Sequence, residues 1–104
     1  MMVSKLQRTD DDIRSVTNAW CDNPAKAMAK YGHISKWNTS MVTNTSRLFY
    51  DKKHFNDVII KWNVSKVTDM SSMFYLAPFN GDISGQNVSS VSNMSSIFMR
   101  IEMG

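Results

Sequence analysis

The side chains of this 104-residue chain that could do covalent chemistry are few: one thiol, Cys21, and two imidazoles, His33 and His54. Nucleophilic catalysis wants a nucleophile, a base and a group that orients the base, all converging on one point. Cys21 with His33 is the one pair that spacing leaves open, and a buried structural cysteine is the plainer account of Cys21. No CxxC, HExxH, glycine-rich phosphate loop or paired-carboxylate motif occurs, so neither a zinc site nor a nucleotide cradle is expected. The expectation is a chain that is not an enzyme, with no catalytic residues, no cofactor and no metal ligands.

What the chain has in abundance is amides and hydroxyls. Five Asn-x-Ser/Thr triplets begin at Asn38, Asn44, Asn63, Asn87 and Asn93. In an exported eukaryotic protein these would invite glycans; here each falls in a repeating column, which explains them better. The net charge is +3, and of the twelve basic residues only Lys52 and Lys53 are adjacent. Phosphate recognition wants a clustered basic stripe with stacking aromatics, so no nucleic acid is expected. No run of about 18 apolar residues exists for a membrane span, and MMVSKLQRTDDD at the start lacks the apolar stretch of a secretion signal. That predicts an intracellular protein, or one within an assembled particle, rather than a secreted one. A single cysteine makes no internal disulfide.

The elements that must position these groups are repeats. ISKWNTSMVTNTSRLF at 34–49 returns 25 residues later as IIKWNVSKVTDMSSMF at 59–74, and 24 residues later again as ISGQNVSSVSNMSSIF at 83–98. Ile34, Ile59 and Ile83 share a column, as do Asn38, Asn63 and Asn87, Val42, Val67 and Val91, and Phe49, Phe74 and Phe98. Phe55-Asn56 and Phe79-Asn80 link successive units, and the one-residue slip falls between units, at 50–54 and 75–78. A fixed period of this length marks units that bury their apolar faces only by stacking. Ile59, Trp62 and Val64 have the spacing of a leucine-rich-repeat strand, which turns Trp62 and Val64 inward and Asn63 outward. Val67, Met70, Met73 and Phe74 have the spacing of one helical face, with Ser65 as its N-cap and the methionines Met70, Met73 and Met94 in the core. The fold class expected is α/β: a short leucine-rich-repeat solenoid of three 24–25-residue units, each a strand, a short helix and a loop, behind an N-terminal helical cap.

These residues resemble the BspA-like leucine-rich-repeat proteins, including the mycoplasma repeat proteins with the pattern W-N/D-V-S-x-V-T-x-M-S-x-M-F followed by F-N-x-D-I. The likeness covers about residues 31–98. Similar repeats occur in unicellular algae and large DNA viruses, often behind a segment like AWxxNPxxAxxxYGHISxWxxS, here Ala19 to Ser40. The resemblance implies a solenoid that binds other macromolecules, often at a cell surface, with no catalytic residues to carry over. This chain departs from it in having three units, no signal sequence, and Gln86 where the other units have Trp37 and Trp62.

Before the repeats, Asp10 to Asp12 offer an N-cap, and Ile13, Val16 and Trp20 follow at helical spacing. Pro24 opens a second helix that Gly32 closes. The organisation expected is a flexible N-terminus at 1–9, a helical cap at 10–32 burying Trp20 and Met28, the solenoid at 33–98 and a tail at 99–104. In that tail Met99, Ile101 and Met103 alternate with Arg100 and Glu102, which suits either a capping strand or a docking edge.

Two functions fit. In one, the exposed face carrying Lys36, Asn38, Lys61, Asn63 and Asn87, beside Ser40, Ser65 and Ser89, recognises a protein or glycan partner. The structural alternative for its asparagines is an amide ladder that holds the units in register. In the other, the chain is a structural component of a larger particle, such as a virion or surface layer, docked through Met99, Ile101 and Met103.

Overall fold

The apolar columns of the repeat are compatible with several backbones, and the destination of each backbone N–H chooses among them. The computed structural model describes residues 5–78 and 86–97. Among these residues the regular secondary structure is helical: α1, Ile13–Asp22, α2, Pro24–Tyr31, and one 3-10 turn, Ile34–Lys36. There is no strand and no sheet among them, only three isolated parallel bridges, Gln7 with Asn38, Asn44 with Asp69, and Asp69 with Asn93. The α/β leucine-rich-repeat solenoid expected from the spacing is therefore not what the chain builds. Ile83 and Gly85, the Phe79-Asn80 pair, Phe98 and the tail residues Met99, Ile101 and Met103 lie outside the described residues.

The two helices arise where the sequence has both start and stop signals. Asn23 caps α2 by accepting from the Lys26 N–H at 3.2 Å, Pro24 stands first, and Gly32 ends the helix at φ 78°. The positive φ favours glycine there, and a Cβ would lie 2.3 Å from a Leu6 methyl, which would have to shift. α1 buries Ile13, Val16 and Trp20. Asp12, at its N-cap, turns its carboxylate back to the Thr9 N–H at 2.9 Å instead of forward into the helix. In α2 it is Ala27 that is buried, and Met28, expected inside, is exposed.

In the repeats neither expected element forms, and the hydrogen bonds say why. From Thr45 to Asp51 alternate residues donate to the next unit: Thr45 to Asp69, Arg47 to Ser71, Phe49 to Met73 and Asp51 to Tyr75, at 2.7–3.0 Å. Leu48 and Tyr50 between them, and Lys52 after them, donate three residues back, closing β-turns, while Ser46 donates to the Asn44 side chain. The second unit repeats this toward the third, with Met70 to Asn93, Ser72 to Ser95 and Phe74 to Ile97. A helix would need every N–H for itself, and here half are spent on the neighbouring unit. The turns closed by Leu48, Lys52, Met73, Ala77 and Ile97 have φ > 0 at their third residue, as type II turns do: Arg47, Asp51, Ser72, Leu76 and Ser96 lie at φ 54–60°. The strand expected around Trp62 is likewise interrupted, because the Trp62 N–H closes a turn on the Ile59 carbonyl at 3.0 Å.

The side-chain directions inferred from spacing survive this change of backbone for most columns. Ile59, Trp62, Val64, Val67, Met70, Met73 and Phe74 are all buried. Aromatic rings pile along the stack: Trp20 on Trp37 at 6.1 Å, Trp37 on Trp62 at 6.2 Å, and Phe49 on Phe74 at 5.5 Å. Phe55 slides over Phe49 at 3.8 Å, so the Phe-Asn linker contributes to the same core. Met94 is the exception, 41% exposed although Thr45 and Met70 in its column are buried.

Candidate functional site

Each Asn or Asp of the two polar columns closes a small turn. The side-chain oxygens of Asn38, Asn63 and Asn87 accept from the N–H of Ser40, Ser65 and Ser89, each at 3.0 Å. Asn44, Asp69 and Asn93 do the same for Ser46, Ser71 and Ser95 at 2.9–3.0 Å. These are Asx turns, in which the side chain mimics a backbone carbonyl two residues away. The recurrent Asn-x-Ser spacing is the spacing of that turn, and the asparagines hold their own loops where a cross-unit amide ladder was the structural alternative. Asp69, the acid of the series, has its carboxyl held below the usual carboxylate range by the Ser71 hydroxyl and N–H.

Lys36, Asn38, Lys61, Asn63 and Asn87 are all exposed, and Trp37, Thr39, Trp62 and Val64 beside them are buried. The structure therefore places the five expected partner-binding residues on the outside of the stack, flanking buried neighbours. Two of the five have further hydrogen bonds: the Asn63 carbonyl accepts from the Thr39 hydroxyl at 3.0 Å, and Asn38 Nδ2 donates to Gln7 Oε1 at 3.1 Å. Beneath the face, the indole N–H of Trp62 donates to the Ile34 carbonyl at 2.8 Å. Gln86 takes the same role for its unit, donating Nε2 to the Ile59 carbonyl at 2.8 Å. The departure from tryptophan thus removes an aromatic plate and keeps the cross-unit bond. The docking-edge residues Met99, Ile101 and Met103 lie outside the described residues.

Sequence reasoning missed how the cap grips the first unit. The N–H of Thr68 donates to the Thr43 carbonyl, and that of Ser92 to the Thr68 carbonyl. Thr43 itself donates to the Asp10 carboxylate at 2.9 Å, and its hydroxyl bonds the same carboxylate at 2.6 Å. That hydroxyl bond is the main reason the Asp10 carboxyl titrates below its usual range. The Ser71 and Ser95 carbonyls accept from Arg47 and Ser72 of the unit before, and the Ser46 carbonyl accepts from the Arg14 guanidinium at 2.6 Å. Trp37 donates to the Tyr31 and Gly32 carbonyls at the end of α2, where a helix has carbonyls to spare. Arg8 completes the grip: 3% exposed, it lies 5.2 Å from the Tyr31 ring and 5.3 Å from the Trp37 ring and 3.3 Å from the Asp12 carboxylate. Asp10 stands three residues before α1 and Arg14 in its first turn, and their partners, Thr43 and Ser46, lie more than 30 residues further on.

A cleft of about 400 Å³ opens between the end of α1 and the 51–57 linker, lined by Cys21, Lys52, Lys53, His54 and Asp57 among others. Asp57 is tied across it to the Trp20 indole at 3.0 Å. Burial pushes the Cys21 thiol up, only partly offset by Lys52, the wrong direction for a nucleophile. His33, the partner that spacing left open, bonds Ser35 at 2.8 Å and meets the Trp20 ring edge-on at 4.9 Å. Among the described residues no three of His, Cys, Asp and Glu converge as a metal site would need, and no helix is long and apolar enough to cross a membrane.

A family model described as "Mycoplasma protein of unknown function, DUF285" matches residues 14–103, and the chain belongs to that family. No curated protein and no solved structure matches it.

Proposed function

Taking membership of this mycoplasma repeat family as the premise, we propose that the chain is a non-catalytic recognition module that binds a macromolecular partner through the exposed face of Lys36, Asn38, Lys61, Asn63 and Asn87. The observation that carries the reading is the Asx turn at Asn38, Asn63 and Asn87, 3.0 Å in all three units. A surface whose loops are already fixed loses little conformational freedom on binding, which favours affinity. The family is compatible with the BspA-like likeness, which implies binding of other macromolecules, and this supports the same reading. Substituting Lys36 and Lys61 together by Glu should weaken binding to an isolated partner at least tenfold and leave the melting temperature within a few degrees. Unchanged affinity would remove this face as the site.

One observation favours a second reading, a component of a larger assembly: Met94, in a column buried elsewhere, lies exposed on the third unit. On that reading the purified chain self-associates in ultracentrifugation, and Met94→Ser or loss of 99–104 abolishes the association. A monomer indifferent to both changes would exclude it.

A further inference from the structure

The second unit breaks a rule that the first obeys. Both present a turn just before the tryptophan, closed by Trp37 on Ile34 and by Trp62 on Ile59. The first unit flanks its buried isoleucine with His33 and Ser35; the second flanks Ile59 with Val58, 62% exposed, and Ile60, 38% exposed. The turn spans 59–62, so Ile60 stands at its tip, where Gly, Pro, Asn, Asp or Ser are usual and a β-branched aliphatic gains nothing from local conformation, and Val58 stands just before it. Single exposed apolar residues are common on any surface; two beside one buried position, in one unit and not in its neighbour, are a local inconsistency of the kind found at functional sites. Successive Cα atoms are about 3.8 Å apart, so Val58, Ile60 and Lys61 share one small area, and Lys36 stands one unit away in the column of Lys61. Among the described residues neither lysine is in an ion pair, the one present being Arg8 with Asp12.

We infer that Val58 and Ile60 are the apolar anchor of the recognition face, and that its partner is a protein segment carrying an aliphatic or aromatic side chain flanked by Asp or Glu that meet Lys36 and Lys61. This rests on the proposed recognition function and narrows it. A few fully desolvated residues at the centre of a contact, ringed by neighbours that exclude water, carry most of its energy, and complementary charge at the rim selects the partner and speeds its arrival. A glycan site would offer an open aromatic face, whereas Trp37 and Trp62 are buried against each other.

The test uses the full chain immobilised against a phage-displayed library of random 12-residue peptides, with a glycan array as the second probe. The control variant Val58→His/Ile60→Ser places the first unit's own residues in the second, so it keeps a sequence this fold already accommodates. The expected result is enrichment of peptides with an acidic residue beside an apolar one, at least tenfold weaker on that variant and on Lys36→Glu/Lys61→Glu, with thermal melting unchanged. Peptides that bind the His/Ser variant equally, or that lack acidic residues, overturn the inference. Glycan binding that is lost with Lys36→Glu/Lys61→Glu but insensitive to Ile60→Ser overturns it and leaves the recognition function standing. No binder to either probe above an unrelated control protein sinks both.

Discussion

The first repeat leans on a helical hairpin and the second leans on the third, and the two junctions fill the same places with different atoms. Between the second and third units most of the hydrogen bonds are backbone to backbone, as where Ser92 donates to the Thr68 carbonyl, and Gln86 adds a side-chain bond to the Ile59 carbonyl. Between hairpin and first unit the carboxylate of Asp10 stands in for that carbonyl, and the guanidinium of Arg14 stands in for an N–H donor to Ser46. The lead-in to α1 and its first turn thus imitate the edge of a repeat that they do not resemble in sequence or backbone. Stacked repeats need closed ends, and this end is closed by two means: backbone at Asn38, which pairs with Leu6 and Arg8, and charge at Thr43 and Ser46, placed where backbone would have been.

The comparison is broken hardest at the tryptophan column. Trp62→Ala removes a plate packed on Trp37 and Phe49 together with the bond to Ile34, and should cost about 3–5 kcal/mol in urea unfolding. Gln86→Ala, which loses only the bond to Ile59, should cost about 1 kcal/mol. If the two cost the same, the aromatic stack contributes nothing. Asp10→Ala should also cost about 1 kcal/mol, with a local signature: faster amide exchange at Thr43 and Asn44, unchanged at Thr68 and Ser92. Exchange that rises equally in all units would mean that the hairpin does not imitate a repeat.

Acid sharpens the same contrast. Asp10 has its folded pKa lowered below the ordinary 3.8. Its contribution is therefore complete above that value and lost as the pH falls through the folded value. The Thr43 and Asn44 amides should lose protection as the pH falls below the ordinary 3.8 and through the lowered folded value in wild type, and Asp10→Asn should remove that dependence, read by exchange across a pH series. The smallest effect is expected at the left-handed positions. Leu76→Gly, at φ 60°, should change stability by less than about 1 kcal/mol, because relief of backbone strain and the gain in unfolded-state freedom oppose each other. Leu76→Val should be the more destabilising, since a β-branched residue tolerates positive φ least.

Which side chains face inward was legible in the sequence, and how the backbone carries them was not. Val67, Met70, Met73 and Phe74 have the spacing of a helical face, and a coil of alternating turns sends the same four inward. Periodicity reports direction; it does not report whether an N–H goes four residues back or to a residue 24 further on. The helix ends at Pro24 and Gly32 were legible because their signals are local. Asp10, Arg14 and Arg8 were not, because their partners, Thr43, Ser46 and the Tyr31 and Trp37 rings, lie far along the chain. The polar face was visible as columns, whereas the anchor at Val58 and Ile60 shows only when exposure is compared between units.

The alternation of donors also sets where the gene can be edited. Inside 44–51 a one-residue insertion would act as a frameshift in space, turning every N–H meant for the next unit inward and every turn outward. In the linker the Phe55 N–H donates locally, to Lys52, and the spacing between units changes by one residue at 50–54. A cut in those linkers would let whole units be duplicated, deleted or exchanged without a change of register, so such a chain can alter its length and its exposed face in single steps.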